Sequence, residues 1–288
     1  MYRNLSPGAL GIRCSWEEGL DLAARAGFQG ADVNIGDAAQ LAEQHGIDGV
    51  RALLAERGLQ PGGWGFPVRW NGSDAEFERS LAELPAQAAL AAALGCFRTM
   101  TWVPPSSDDM PRTAFYTRFV ERFRACAEVL DAHGQRLGLE FIGPRTLRAG
   151  KKHGFVHTMD GMLMLCSAIG TGNVGLLFDV WHWYTCRSTV DDVRQLTVHD
   201  VVYVHMNDAP AGVDVLDQVD NVRCLPGETG VIPNGELLRI LDGLGYEGPV
   251  TVEPFNQPLR DLAARNPLAA AIRTRESLDL VFRQAGLE

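Results

Sequence analysis

Along the 288 residues, short apolar runs alternate with longer stretches whose apolar positions recur every three or four residues. The first pattern predicts strands and the second amphipathic helices. Strands are expected at Leu5–Ile12, Gly30–Ile35, a glycine-rich segment ending at Trp64–Phe66, Phe97–Val103, Leu137–Ile142, the run from Val174 to Asp179, Val201–Met206 and Pro249–Glu253. Helical periodicity follows each. It starts at the cap Ser15, at Asp37 (with a break around Gly46–Gly49), after Asn71–Asp74, at Thr113, at the cap Thr158, at Asp191, at Pro233–Glu236 and at Asn266–Pro267. Pro85 should kink its helix. Several strands are apolar on both faces, as buried parallel strands are. Eight strand–helix units in under 300 residues, with no linker or low-complexity stretch, predict a single α/β domain over residues 1–288. Its architecture is a (β/α)8 TIM barrel rather than an open doubly wound sheet. No Gly-x-Gly-x-x-Gly follows the first strand, which argues against a dinucleotide site.

In such a barrel the chemistry sits at the C-terminal strand ends. Reading those ends gives Glu140 on the fifth strand, Asp179 on the sixth, His205 on the seventh and Glu253 on the eighth. A carboxylate at the end of a buried strand is costly unless it binds something. Three carboxylates and an imidazole on consecutive strands suit one divalent metal, with Mn²⁺ first among Mn²⁺, Mg²⁺, Co²⁺ and Zn²⁺. His182 lies three residues past Asp179 and would be its neighbour if the strand ends between them. Trp64, Trp102, Trp181 and Trp183 are candidates for an apolar wall against the C–H face of a bound ligand. Asp208 is read as a partner of the ligands or a loop cap, and Lys151, Lys152 and His153 as a solvated basic loop.

Composition narrows the setting. A formal net charge of −10 is wrong for a nucleic-acid groove, which needs a basic face. The N-terminus shows no apolar signal region and no run approaches membrane-spanning length. Six scattered cysteines without a Cys-x-x-Cys pair read as reduced thiols of a cytoplasmic protein.

Five stretches carry a family resemblance: Leu139-Glu140-Phe141, Phe178-Asp-Val-Trp-His182, Val204-His-Met-Asn-Asp208, Leu225-Pro-Gly-Glu-Thr-Gly-Val-Ile232 and Gly245-Tyr-Glu-Gly-Pro-Val-Thr-Val-Glu253. In that order they resemble the xylose-isomerase-like barrels known as sugar phosphate isomerases/epimerases, which share a fold with endonuclease IV. The resemblance implies that Glu140, Asp179, His205 and Glu253 bind one metal. It further implies that Glu140 and Glu253 act as acid and base on opposite faces of a ketose or polyol-ketone, through a metal-stabilised enediolate. His182 and Arg223 would hold substrate hydroxyls or the developing oxyanion. In the family's ketose epimerases the arginine follows the histidine more closely, and here Ala211 and Gly212 stand at that place. A dehydratase of the inosose type would use the same site and expel a β-hydroxyl. An endonuclease IV-like reading needs extra histidine ligands, and the loop Asp220–Gly230 holds no His-x-His or Asp-x-His pair. A non-catalytic binding subunit would have no reason to keep all four ligands. Barrels of this kind often pair as homo-oligomers, but no apolar stripe in the sequence marks the face.

Overall fold

The computed structural model describes residues 1–287. Eight parallel strands close into a barrel: β1 (Tyr2–Leu5), β2 (Gly30–Val33), β3 (Gln60–Gly65), β4 (Arg98–Val103), β5 (Arg136–Phe141), β6 (Val174–Asp179), β7 (Val201–Met206) and β8 (Pro249–Val252). Each strand pairs with its sequence neighbour, and β1 pairs with β8. Helices α1 (Trp16–Ala26), α2 (Ile35–Ala55), α3 (Asp74–Ala93), α4 (Arg112–Asp131) and α5 (Met159–Ile169) cover the first five strands. Two short helices, α6 (Val180–Thr185) and α7 (Val190–Arg194), follow β6. After β7 comes α8 (Asn234–Gly243), and after β8 come α9 (Gln257–Arg265) and α10 (Pro267–Ala285). No described helix is long and apolar enough to cross a membrane.

Local chemistry sets the helix ends. Ser15 accepts from the Glu18 N–H while the Glu18 carboxylate accepts from the Ser15 N–H, a capping box that satisfies two otherwise free donors. Gly27, with φ 83°, turns the chain out of α1. Gly46 breaks the helical geometry of α2 where the break was expected. Pro85 lies inside α3 without ending it.

Two boundaries differ from the pattern-based reading for a common reason. The first strand is Tyr2–Leu5, and the apolar segment after it is a 3-10 turn, Pro7–Leu10. Asn4 points into the barrel, so polar residues broke the apolar signal of the strand itself. The Asn4 side chain bonds Tyr203 of β7 although β8 lies between their strands, and such a contact has to run through the barrel interior. The third strand likewise begins at Gln60, well before Trp64. Its glycines leave room for side chains from across the barrel, and they carry no hydrophobic signal of their own.

Candidate metal centre and active site

β5 to β8 deliver their terminal polar residues to one point. In register, Asp179 sits opposite His205 and Trp102 opposite Glu140. The His205 Nδ1 atom is 3.5 Å from Glu140 Oε1, 3.6 Å from Glu253 Oε2 and 3.7 Å from Asp179 Oδ2. One ligand atom from each of the four residues falls within 4.8 Å of all the others. Metal–ligand bonds of about 2.0–2.2 Å bring donor atoms roughly 3–4 Å apart, which the three distances to His205 match. Glu140 Oε1 and His205 Nδ1 are both buried with no hydrogen-bond partner among the described residues. Two buried ligand atoms facing each other without a hydrogen-bond partner could share a cation. The donor set therefore fits a divalent metal.

Electrostatics agree. Burial is the main cause that pushes the Glu140 carboxyl up to about 8, helped by the charges of Glu253 and Asp179 and opposed by its contact with His205. Burial alone would lower His205, but Glu253, Asp179 and Glu140 together hold it well above the usual imidazole range. Asp179 is fully buried, which would raise it, yet Arg223 and the two histidines hold it far below the usual carboxylate range.

The neighbours fix each ligand. Asp179 Oδ1 accepts from the Trp181 N–H at 2.7 Å, capping α6, and from Asn207 Nδ2 at 3.0 Å. That leaves Oδ2 for Arg223, which donates to it at 2.9 Å. Arg223 also donates to Glu253 Oε2 at 3.1 Å and to Asp220 Oδ1 at 2.8 Å. Its guanidinium lies 4.5 Å from the centre of the Phe255 ring and 5.3 Å from that of Trp181. Phe255 takes a left-handed φ of 35°, a strained backbone for a bulky residue, and this places its ring against the arginine.

Arg223 reaches the site despite its distance from His205 in sequence. The loop after β7 makes a long excursion and returns through two backbone bonds between Asp208 and Cys224. Asp208 is the organiser of that loop. Its carboxylate accepts from the N–H groups of Ala209, Thr229, Gly230 and Ile232 and so acts as a loop cap, not as a ligand. Asp208→Ala should leave those four donors without their acceptor and cost about 3 kcal/mol of unfolding free energy. Urea denaturation of the purified variant checks this; a loss below about 1 kcal/mol would mean that water replaces the carboxylate.

His182 is buried under the site. Its Nδ1 accepts from the Gly143 N–H at 3.3 Å, and Arg223 Nη2 lies 3.4 Å from its Nε2. That atom faces Glu140 Oε1 at 3.8 Å and Asp220 Oδ1 at 3.9 Å. Burial, its largest influence, pulls His182 down to about 4, so the ring is neutral at physiological pH. Position 143 admits only glycine, because a Cβ would lie 2.4 Å from the His182 carbonyl oxygen.

The tryptophans divide. Trp102 is half exposed at the rim and lines a cavity of about 480 Å³ with Glu140, His182, Arg223 and Glu253. Trp181 has no exposed surface, so it offers no ring face to a ligand and instead supports Arg223. Trp64 and Trp183 are also buried. The expected aromatic wall is thus Trp102, joined by Phe255, which the sequence reading missed. Asp220 was missed too, since nothing in a polar loop distinguishes it until the loop folds back. Lys151 pairs with Asp108 at 2.7 Å, as a solvated loop residue does, although it also borders the cavity.

Residues 20–279 match the profile of the family described as xylose isomerase-like TIM barrel. An inosose isomerase from Halalkalibacterium halodurans is 23% identical over 250 residues, covering 85% of this chain and 84% of that protein. A 3-dehydroshikimate dehydratase from Pseudomonas putida is 28% identical over 156 residues, covering 54% of this chain and 23% of that protein. Among solved structures, a xylose isomerase domain protein from Alicyclobacillus acidocaldarius superposes with a TM-score of 0.87 at 35% identity, over 99% of both chains.

Proposed function

The chain belongs to the xylose isomerase-like TIM barrel family, and we propose that it is a divalent-metal-dependent isomerase or epimerase of a ketose or related polyol-ketone. The observation that carries this reading is the convergence of Glu140, Asp179 and Glu253 oxygens on the unpartnered His205 Nδ1. The four residues would hold the metal, and three carboxylates with a single imidazole favour Mn²⁺ over softer ions. When bound, the metal supplies Lewis-acid polarisation of a carbonyl and makes the neighbouring C–H acidic. Glu140 and Glu253 take the proton from one carbon and return it, one as base and the other as acid. They come from strands on either side of the ligand cluster, so a substrate between them meets a carboxyl group on each face. Arg223, held by three carboxylates between Phe255 and Trp181, positions Asp179 and Glu253, while His182 at the cavity wall orients a substrate oxygen and Trp102 covers an apolar face. The unpaired cysteines suit work in the reducing cytoplasm.

The similarity to a 3-dehydroshikimate dehydratase supports a second reading, a lyase on the same residues. Its first step is the same proton removal, followed by loss of a β-hydroxyl. Product analysis separates the two: an isomerase conserves mass, whereas a dehydratase releases water.

The first test is metal content, followed by exchange of a carbon-bound proton with deuterated solvent in ketoses and inososes. About one metal per chain together with exchange is the expected result. Chain that exchanges at full rate after verified metal removal would rule the reading out.

Metal uptake should also be proton-linked. In the metal-free protein both Glu140, at about 8, and His205 are shifted upward, so both hold protons at neutral pH. A metal needs both groups deprotonated. Binding of Mn²⁺ at pH 7 should therefore release about two protons, and affinity should rise with pH until both groups have lost their protons in the metal-free protein. Calorimetry in buffers of different ionisation enthalpy counts the protons. Uptake without proton release would mean that these four residues are not the ligands.

A further inference from the structure

The site opens on one side into a second cavity, about 790 Å³, whose wall includes His205, Glu253, Phe255, Met100, Trp16 and Asp32. Asp32 is the next-to-last residue of β2, which stands four places from β6 around the eight-stranded ring and so lies opposite Asp179. One carboxylate oxygen, Oδ1, accepts three hydrogen bonds: from the Tyr203 hydroxyl at 2.7 Å, Asn4 Nδ2 at 2.8 Å and the Gly63 N–H at 3.0 Å. The approach is close enough that a Cβ on Gly62 would lie 2.6 Å from the same oxygen. The Trp16 indole N–H donates to the Asp32 carbonyl at 2.9 Å and fixes the backbone. Asp32 is thus held rigidly: burial raises its carboxyl above the usual range, these hydrogen bonds and a further one from the Ser6 hydroxyl oppose that, and the described residues place no salt bridge on it.

An asparagine would serve the three donors as well as an aspartate does. The charge is therefore spent on whatever meets the other oxygen, and that residue lines the cavity. An acceptor-only, anionic oxygen takes a hydroxyl hydrogen and repels a phosphate or carboxylate. A substrate held at one end by the metal ligands on β5–β8 would extend across the barrel mouth toward β2.

We propose that Asp32 is a specificity residue that accepts a hydroxyl from the end of the substrate remote from the reacting carbons, and so selects free polyol-ketones over their phosphate esters. This rests on the isomerase or epimerase reading of the site and adds to it the charge of the substrate. The opposite choice has its own candidate, since the exposed Arg13 borders the same cavity and could receive a phosphate.

The test compares wild-type protein and Asp32→Asn, both loaded with Mn²⁺ to the same measured content. The substrates are a free ketohexose, an inosose and the ketohexose 6-phosphate, and the readout is kcat/KM for solvent-proton exchange. Wild type should favour the free compounds over the phosphate ester by about tenfold or more, as expected for a hydroxyl bound to a charged acceptor. Asp32→Asn should lose about tenfold or more on the free compounds, mainly in KM, and narrow that preference, with metal content unchanged. Activity on the free compounds within about twofold of wild type would overturn the proposal while leaving the isomerase reading intact. A wild-type preference for the phosphate ester would overturn it as well and would point to Arg13, a result that does not depend on the variant folding. Metal-loaded wild type that exchanges a proton in none of these compounds would sink the isomerase reading, and this proposal with it.

Discussion

Arg223→Met is expected to lower the unfolding free energy of the metal-free protein by about 3–5 kcal/mol, the scale for breaking a buried ion pair from one side. The arginine is 2% exposed and touches the carboxylates of Asp179, Glu253 and Asp220. Asp179 has no exposed surface at all, and two aromatic rings close off the guanidinium from the remaining sides. Methionine fills most of the volume but leaves those carboxylates with only His205 to oppose them. A divalent metal would supply two positive charges to the same oxygens. Saturating Mn²⁺ should therefore stabilise the variant by more than it stabilises wild type, by linkage between binding and folding. Arg223→Lys should fall between the two, because an ammonium cannot bridge Asp179 and Asp220 in one plane. Denaturant titrations with and without Mn²⁺ give both numbers. A loss below about 1 kcal/mol without metal would mean that the carboxylates are neutralised by protons instead of by Arg223.

The same arginine shows what the sequence reveals and what it hides. The clustering of Glu140, Asp179, His205 and Glu253 was legible because each lies at or beside the end of a strand whose apolar run is visible, and a barrel sends all strand ends to one rim. Their identity needed no knowledge of loop conformation. Arg223 was placed with substrate-binding residues by resemblance, and its sequence position gave no hint that it would touch two of the four. That contact depends on the Asp208–Cys224 backbone bridge, which closes a loop with no regular pattern. Asp32, Asn4, Tyr203 and Thr251 were hidden for a different reason. They form one hydrogen-bonded layer from strands β1, β2, β7 and β8, and each looks alone like an ordinary polar interruption of a strand. Trp181 erred in the other direction: an aromatic residue beside the site was read as a wall, but the helix that starts at Val180 turns its ring inward.

Glu253→Gln should reduce proton exchange by about 10²–10⁴-fold at saturating Mn²⁺, the range for losing a positioned acid or base. The substitution keeps the shape of the side chain, and an amide oxygen can still accept from Arg223. It removes one charge and the capacity to carry a proton. The fold should survive, because Glu253 lies just past β8 and the packing of Val250 and Val252 is untouched. Metal affinity should weaken as well, since Glu140, Asp179 and His205 remain but the donor set is short by one. The measurement therefore has to separate two effects: the exchange rate is read against metal concentration until it levels off, and bound metal is determined in the same samples. A plateau near the wild-type rate would show that Glu253 contributes only as a ligand, and the proton would then have to pass through Glu140 alone. A low plateau with full metal occupancy assigns Glu253 to proton transfer. Glu140→Gln provides the converse, and if the two carboxyl groups serve opposite faces of the substrate, each single variant should abolish epimerisation while one of them retains exchange at a single carbon–hydrogen bond.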